Sequence, residues 1–182
     1  MPLVTAAHAP AAVRYRVTRT IPVGRYAFGV GVDPATRTVY VANYFDGTVS
    51  VIDAATGTVT RTIPVGSGPG WVAVDPAART VYVTDYGGGT VSVIDAATGS
   101  VTGTIPVGAS PFGVAVDTAA HTVYVSNFGG NTVSVIDGAT STVAATISVG
   151  SSPEGVAADP GTHTAYVADD GGNSVSMISR CM

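Results

Sequence analysis

A 42-residue period runs through nearly the whole chain and sharply limits what it can fold into. Ile21-Pro-Val-Gly recurs as Ile63-Pro-Val-Gly, Ile105-Pro-Val-Gly and Ile147-Ser-Val-Gly. In the same phase, Thr38-Val-Tyr-Val-Ala-Asn returns as Thr80-Val-Tyr-Val-Thr-Asp, Thr122-Val-Tyr-Val-Ser-Asn and Thr164-Ala-Tyr-Val-Ala-Asp. A fixed period of this length, dominated by β-branched residues, is the mark of a propeller array.

Within the second copy, Trp71-Val-Ala-Val-Asp-Pro is a short apolar run closed by a turn initiator. Thr80-Val-Tyr-Val-Thr-Asp, Thr90-Val-Ser-Val-Ile-Asp and Ser100-Val-Thr-Gly-Thr-Ile-Pro-Val follow as three further strands. Connections are short and rich in Gly, Asp and Pro, and no apolar period of helical spacing appears, so almost no helix is expected. The apolar runs suit sheets covered on both faces, as stacked blades require.

The Val-Tyr-Val-x-Asn/Asp core, followed by Ser-Val-Ile-Asp-Ala-Ala-Thr-Gly, resembles the YVTN family of β-propeller repeats over about residues 15–182. The resemblance implies the fold and says little about activity; relatives include cell-surface and periplasmic propellers, usually with more blades. Tyr15-Arg-Val-Thr-Arg-Thr aligns with Gly57-Thr-Val-Thr-Arg-Thr, so the chain begins with an orphan fourth strand, and Met182 lies in the phase of Thr56. The expected architecture is an all-β, closed four-bladed β-propeller of 42-residue, four-stranded blades. The N-terminal strand would complete the last blade, pair its open edge and bury Val17. Residues 1–14 would form a tail and 15–182 a single domain. A monomer is expected, with two chains exchanging strands into an eight-bladed dimer as the rival.

Eight Arg, no Lys and twelve acids give a net charge of −4, without the clustered cations that a phosphate backbone demands, so nucleic acid is not an expected partner. Arg14, Arg16, Arg19 and Arg25 are the densest basic stretch and read as a solvated sheet edge. The single cysteine, Cys181, has no mate for an intrachain disulfide. No apolar run approaches a membrane span, and Met1 to Ala12 lack the layout of a secretory signal. As written, the chain is expected to be soluble and cytoplasmic; an upstream signal would make it extracytoplasmic.

In an antiparallel meander, the loops joining strands 2–3 and 4–1 emerge on one face, and loops 1–2 and 3–4 on the other. The 1–2 loops are nearly uniform, from Asp33-Pro-Ala-Thr-Arg-Thr to Asp159-Pro-Gly-Thr-His-Thr, and read as turn chemistry. The first face is where the copies differ, and it gathers eight of the thirteen aromatics. Arg25, Tyr26, Phe28, Tyr44, Trp71, Tyr86, Phe112, Phe128, Glu154 and Asp170 are the candidate ligand-binding residues there. Phe28, Gly70, Phe112 and Glu154 share one phase, which sets an acid among aromatics; Glu154 is the candidate catalytic acid or base. The bland reading is that the aromatics lid the core and Glu154 is solvated.

Asn43, Asp85, Asn127 and Asp169 form a second equal-phase set, read as Asx-turn acceptors, and Asp169-Asp170 as a solvated turn. His121 and His163 match Arg37 and Arg79 on the uniform face and read as exposed surface. No metal site and no cofactor is predicted, and no nucleophile or phosphate-loop motif occurs. The function expected is a small binding or scaffolding module taking a small molecule, glycan or protein on the variable loop face. The alternative is a propeller lyase or cyclase acting on a small apolar or glycan-like substrate through Glu154. Propeller lyases of this general fold rely on histidine and a divalent cation near the axis, and no histidine is expected on the variable face.

Overall fold

The computed structural model describes residues 14–180. Each repeat folds into its own antiparallel sheet with strands in sequence order. The first repeat comprises β1 (Ala27–Asp33), β2 (Thr38–Asn43), β3 (Thr48–Asp53) and β4 (Thr58–Pro64). The second comprises β5 (Pro69–Asp75), β6 (Thr80–Asp85), β7 (Thr90–Asp95) and β8 (Ser100–Pro106). The third comprises β9 (Pro111–Asp117), β10 (Thr122–Asn127), β11 (Thr132–Asp137) and β12 (Thr142–Ser148). The fourth has three strands, β13 (Pro153–Asp159), β14 (Thr164–Asp169) and β15 (Ser174–Ser179), with one 3₁₀ turn at Asp170–Gly172.

Turn aspartates end the strands as their spacing foretells. The Asp33 carboxylate accepts the backbone N–H groups of Ala35 and Thr36, and Asp53 accepts those of Ala55 and Thr56. Side chains rather than water thus satisfy the turn backbone. The same device recurs at Asp75, Asp95, Asp117 and Asp137.

Packing occurs between repeats rather than within them. Tyr40 of the first repeat lies against Val72, Val81, Val83 and Ile94 of the second. Tyr82 does the same against Val114, Val123, Val125 and Ile136 of the third, and Tyr124 against Ala165, Val167 and Ile178 of the fourth. Each tyrosine or valine buried in this way contributes on the order of 1.5–3 kcal/mol. One sheet cannot bury its own apolar faces, so neighbours stabilise each other.

The ring closure expected from the sequence is not formed. First strands pack in consecutive pairs, β1 on β5, β5 on β9 and β9 on β13, and no comparable packing joins β13 to β1 among the described residues. Residues 14–20 carry no strand, β15 is a sheet edge, and Val17 is exposed rather than buried. Arg19 instead reaches the first repeat, where its guanidinium donates to the carbonyls of Thr56 and Gly57 in the β3–β4 turn. Arg61, one period later, likewise donates to the Thr98 carbonyl. Arg19 thus holds, against the first repeat, the place that Arg61 of β4 holds against the second. The proposed tail falls almost wholly outside the described residues, as does Cys181.

Candidate functional site

The first strand of every repeat is interrupted at one phase. Pairing skips residues 28–29 between Ala27 and Val30, 70–71 between Pro69 and Val72, and 154–155 between Pro153 and Val156; the third repeat breaks register across 112–113. A bulge re-aims the side chains it leaves unpaired. Phe28, Trp71, Phe112 and Glu154 all sit at these bulges.

Hydroxyls from the preceding repeat hold two of them. Thr84 Oγ1 accepts the Trp71 N–H at 2.9 Å and donates to the Phe112 carbonyl at 2.7 Å. Ser126 Oγ accepts the Gly113 N–H at 2.9 Å and donates to the Glu154 carbonyl at 2.6 Å. Adjacent repeats are thus joined at the backbone beneath the loops. Gly29 and Gly113 are the points of closest approach: a Cβ there would overlap the carbonyls of Gly70 and Glu154.

The two loop sets share a face, as parity requires. Tyr44 N–H donates to the Tyr26 carbonyl, Tyr86 to Gly68, Phe128 to Ser110 and Asp170 to Ser152. Above the bulges, Tyr26, Phe28, Tyr44, Phe45, Tyr86, Phe112, Phe128 and Glu154 line a cleft of about 360 Å³. The rings form a continuous chain. Phe45 meets Tyr26 at 4.8 Å, Tyr26 stacks on Phe28 at 6.1 Å, Phe28 meets Trp71 at 5.1 Å, and Trp71 stacks on Phe112 at 5.5 Å. Phe112 in turn reaches Tyr86 and Phe128, each at 6.4 Å.

Seven of the ten predicted residues therefore line one cleft, namely Tyr26, Phe28, Tyr44, Tyr86, Phe112, Phe128 and Glu154. Trp71 instead stands beneath them, half-buried against the core between the second and third repeats. Arg25 turns away to pair with Asp46 at 2.6 Å, and Asp170 begins the 3₁₀ turn outside the cleft. The Arg25 backbone N–H, with its guanidinium, holds the Asp46 carboxyl below the usual range. Phe45 was readable only as a loop aromatic.

Asn43, Asp85, Asn127 and Asp169 are not Asx-turn acceptors. All four are buried and clasp the next strand: Asn43 Nδ2 donates to Thr48 and Ser50, whereas Asp85 Oδ2 accepts from Thr90 and Ser92. Asn127 repeats the first pattern with Thr132 and Ser134, and Asp169 the second with Ser174 and Ser176. A hydroxyl donates or accepts as required, so amide and carboxylate interchange here. Asp169 is thus a buried clasp rather than half of a solvated pair, while Asp170 is exposed. Burial pushes the Asp85 carboxyl up, against the opposing bonds from Ser92, Thr90 and the Gly66 N–H.

His121 and His163 are only half exposed. Their Nδ1 atoms reach Asp75 and Asp117 of the preceding repeat at 2.6 and 2.7 Å. The Asp75 bond raises the His121 ring above its ordinary value. Burial works to raise Asp117, but the His163 bond and the Ala120 and Ala119 N–H groups outweigh it and hold that carboxyl low. The signal missed was a spacing of 46 residues, one period plus a turn. Among the described residues, no three His, Cys, Asp or Glu side chains gather as metal ligands. Nor is any helix there long and apolar enough to cross a membrane.

A family model for YNCE-like β-propellers matches residues 4–114. The chain belongs to that family. Among solved structures, the YNCE-like chain is similar to hydrazine synthase of Kuenenia stuttgartiensis, with 25% identity and a TM-score of 0.80 over 92% of this chain and 49% of that one. It is also similar to a streptogramin B lyase, with 13% identity and a TM-score of 0.73 over 85% of this chain and 51% of the lyase, which shows the fold alone. This YNCE-like chain spans about half the length of either structure. No curated protein matches it.

Proposed function

We propose that the chain is a binding module that takes a small molecule or sugar ring with an apolar face in the aromatic cleft. The observation that carries this reading is the cleft itself: seven aromatic rings and one carboxylate converge on about 360 Å³. That volume lies within the range of roughly 300–1,000 Å³ usual for ligand sites, which are likewise mostly apolar with few polar groups. The rings offer flat faces, and Glu154 offers a hydrogen-bond acceptor that fixes orientation. Support for a rigid site comes from the bulges and from the Ser126 and Thr84 hydroxyls that tether them.

Trp71, the chain's one tryptophan, lies under the cleft and stacks on Phe112, so its emission is a built-in reporter. Titration with a panel of monosaccharides, oligosaccharides and planar aromatic acids is expected to give saturable quenching or a shift for at least one class. Phe112→Ala, which removes the ring shared by Tyr86, Phe128 and Trp71, is expected to weaken that response at least tenfold with circular dichroism unchanged. No saturable response across the panel would refute the reading. An enzyme acting through Glu154 predicts something different: Glu154→Gln would abolish turnover of the bound compound and leave its affinity nearly intact. In a binding module the substitution alters affinity alone.

A further inference from the structure

We propose that the occupant of the aromatic cleft is a small organic monocation, a methylated ammonium of the choline class, held by ring faces with Glu154 as its counter-ion. This rests on the binding reading above and narrows it to one sign of charge. The lining itself gives the sign. Among the described residues around the cleft, Glu154 carries the one charged side chain and the others are aromatic. Arg25 follows directly before Tyr26 in the chain but does not neutralise that carboxylate, because its guanidinium is bonded to Asp46 at 2.6 Å. Aromatic faces are the negative part of the ring quadrupole, so they attract a cation as the carboxylate does.

Ring orientation gives the shape. A flat ligand is received on parallel faces. Here Phe28 meets Phe112 at 85°, Tyr86 meets Phe112 at 80°, and Tyr26 meets Tyr44 at 62°. Tyr26 and Phe28 are the near-parallel exception, at 15°. Planes crossed this steeply turn their faces in several directions, which suits a rounded group more than a flat one. The cleft, at about 360 Å³, lies at the small end of the roughly 300–1,000 Å³ usual for ligand sites, so the occupant is compact.

Hydrogen-bonding capacity gives the substituents. A primary ammonium brings three N–H donors and a guanidinium five, all of which need acceptors that ring faces do not supply. A quaternary ammonium has no N–H, and its methyl shell is satisfied by rings and one carboxylate. An anionic group on the same ligand would face Glu154 with no lining cation to receive it. A free monocation therefore fits better than a phosphocholine headgroup or a zwitterion.

Trp71 emission in the full chain reports the test, since the indole stacks on Phe112. The probes are choline, the neutral alcohol in which carbon replaces the choline nitrogen, and phosphocholine. Choline is expected to saturate, to bind about tenfold more tightly than the neutral isostere, and to bind more tightly than phosphocholine. Glu154→Gln is expected to weaken choline about tenfold and leave the isostere unchanged. Ser126 holds the backbone carbonyl of Glu154, so the substitution leaves that tie in place. Equal affinity for choline and its isostere, unchanged choline affinity in Glu154→Gln, or tighter binding of phosphocholine would each overturn the proposal. A saccharide that saturates the cleft where choline does not would overturn the cation and leave the binding module standing. Silence of choline, its isostere and the saccharides alike would overturn both.

Discussion

At the scale of single residues, burial and hydrogen bonding set opposite pH responses. Asp85 is fully buried with its carboxyl pushed up, so the folded state holds its proton to higher pH than the unfolded chain does. Stability from this group is therefore lost as pH rises through the folded value. Asp85→Asn, which copies Asn43 and Asn127, is expected to raise the melting temperature at pH 7 by a few degrees, since about 1 kcal/mol moves it by about 2–4 °C at this size. The gain should vanish in acid, where both side chains are neutral; an equal gain at pH 3 and pH 7 would show that charge is not the cause. Asp33 and Asp117 lie on the other side of the balance. Burial raises both, but the hydrogen bonds from Thr36 to Asp33 and from His163 to Asp117, with those of turn N–H groups, outweigh it. Their contribution is present above the unfolded value and lost as pH falls through the folded one. His121, held up by Asp75, contributes below its unfolded value and loses that contribution as pH rises through its folded one. The turn aspartates were legible because Asp at a strand end, followed by small or turn-forming residues, states its own local geometry. The clasps at Asn43 and Asp85 were not, because their partners lie on the next strand and depend on register.

Among elements, the second strand of one repeat grips the first strand of the next. Thr84→Val keeps the shape but leaves the Phe112 carbonyl and the Trp71 N–H without their partner. An unsatisfied buried group costs about 1–3 kcal/mol, so a fall of several degrees in melting temperature is expected by calorimetry. A change under one degree would mean that water or a backbone shift replaces the hydroxyl. The N-terminal segment behaves differently. Residues 14–20 are exposed and form no strand, so removing residues 1–20 is expected to leave the circular dichroism spectrum intact and to shift the melting temperature little. Loss of folding on truncation would show that the segment supports the first repeat directly. Loop parity put the seven predicted side chains that line the cleft on one face from the sequence alone, because strand alternation is geometric. The bulges escaped notice, since a skipped residue alters no composition or period.

For the whole molecule, stability is a sum over joints. Among the described residues, the second and third repeats each pack on a neighbour on both sides, and the first and fourth on one side. In dilute solution, amide exchange is expected to be slowest around Val81, Val91 and Val123 and fastest along β15 and β1, as local opening energies follow buried contacts. Uniform protection across the four repeats would contradict an open array. The period made four sheets legible at once, but closure was not, because repeat phase says that two ends match and not that one chain can bend far enough to join them.

The clasp on β2 also has a genetic consequence. Asn and Asp codons differ by one base, and the serine and threonine hydroxyls opposite accept either side chain without a change of shape. Each repeat can thus gain or shed one negative charge by point mutation while its strands stay in register. The net charge of −4 is to that extent free to drift under selection for solubility or partner repulsion, independently of the surface.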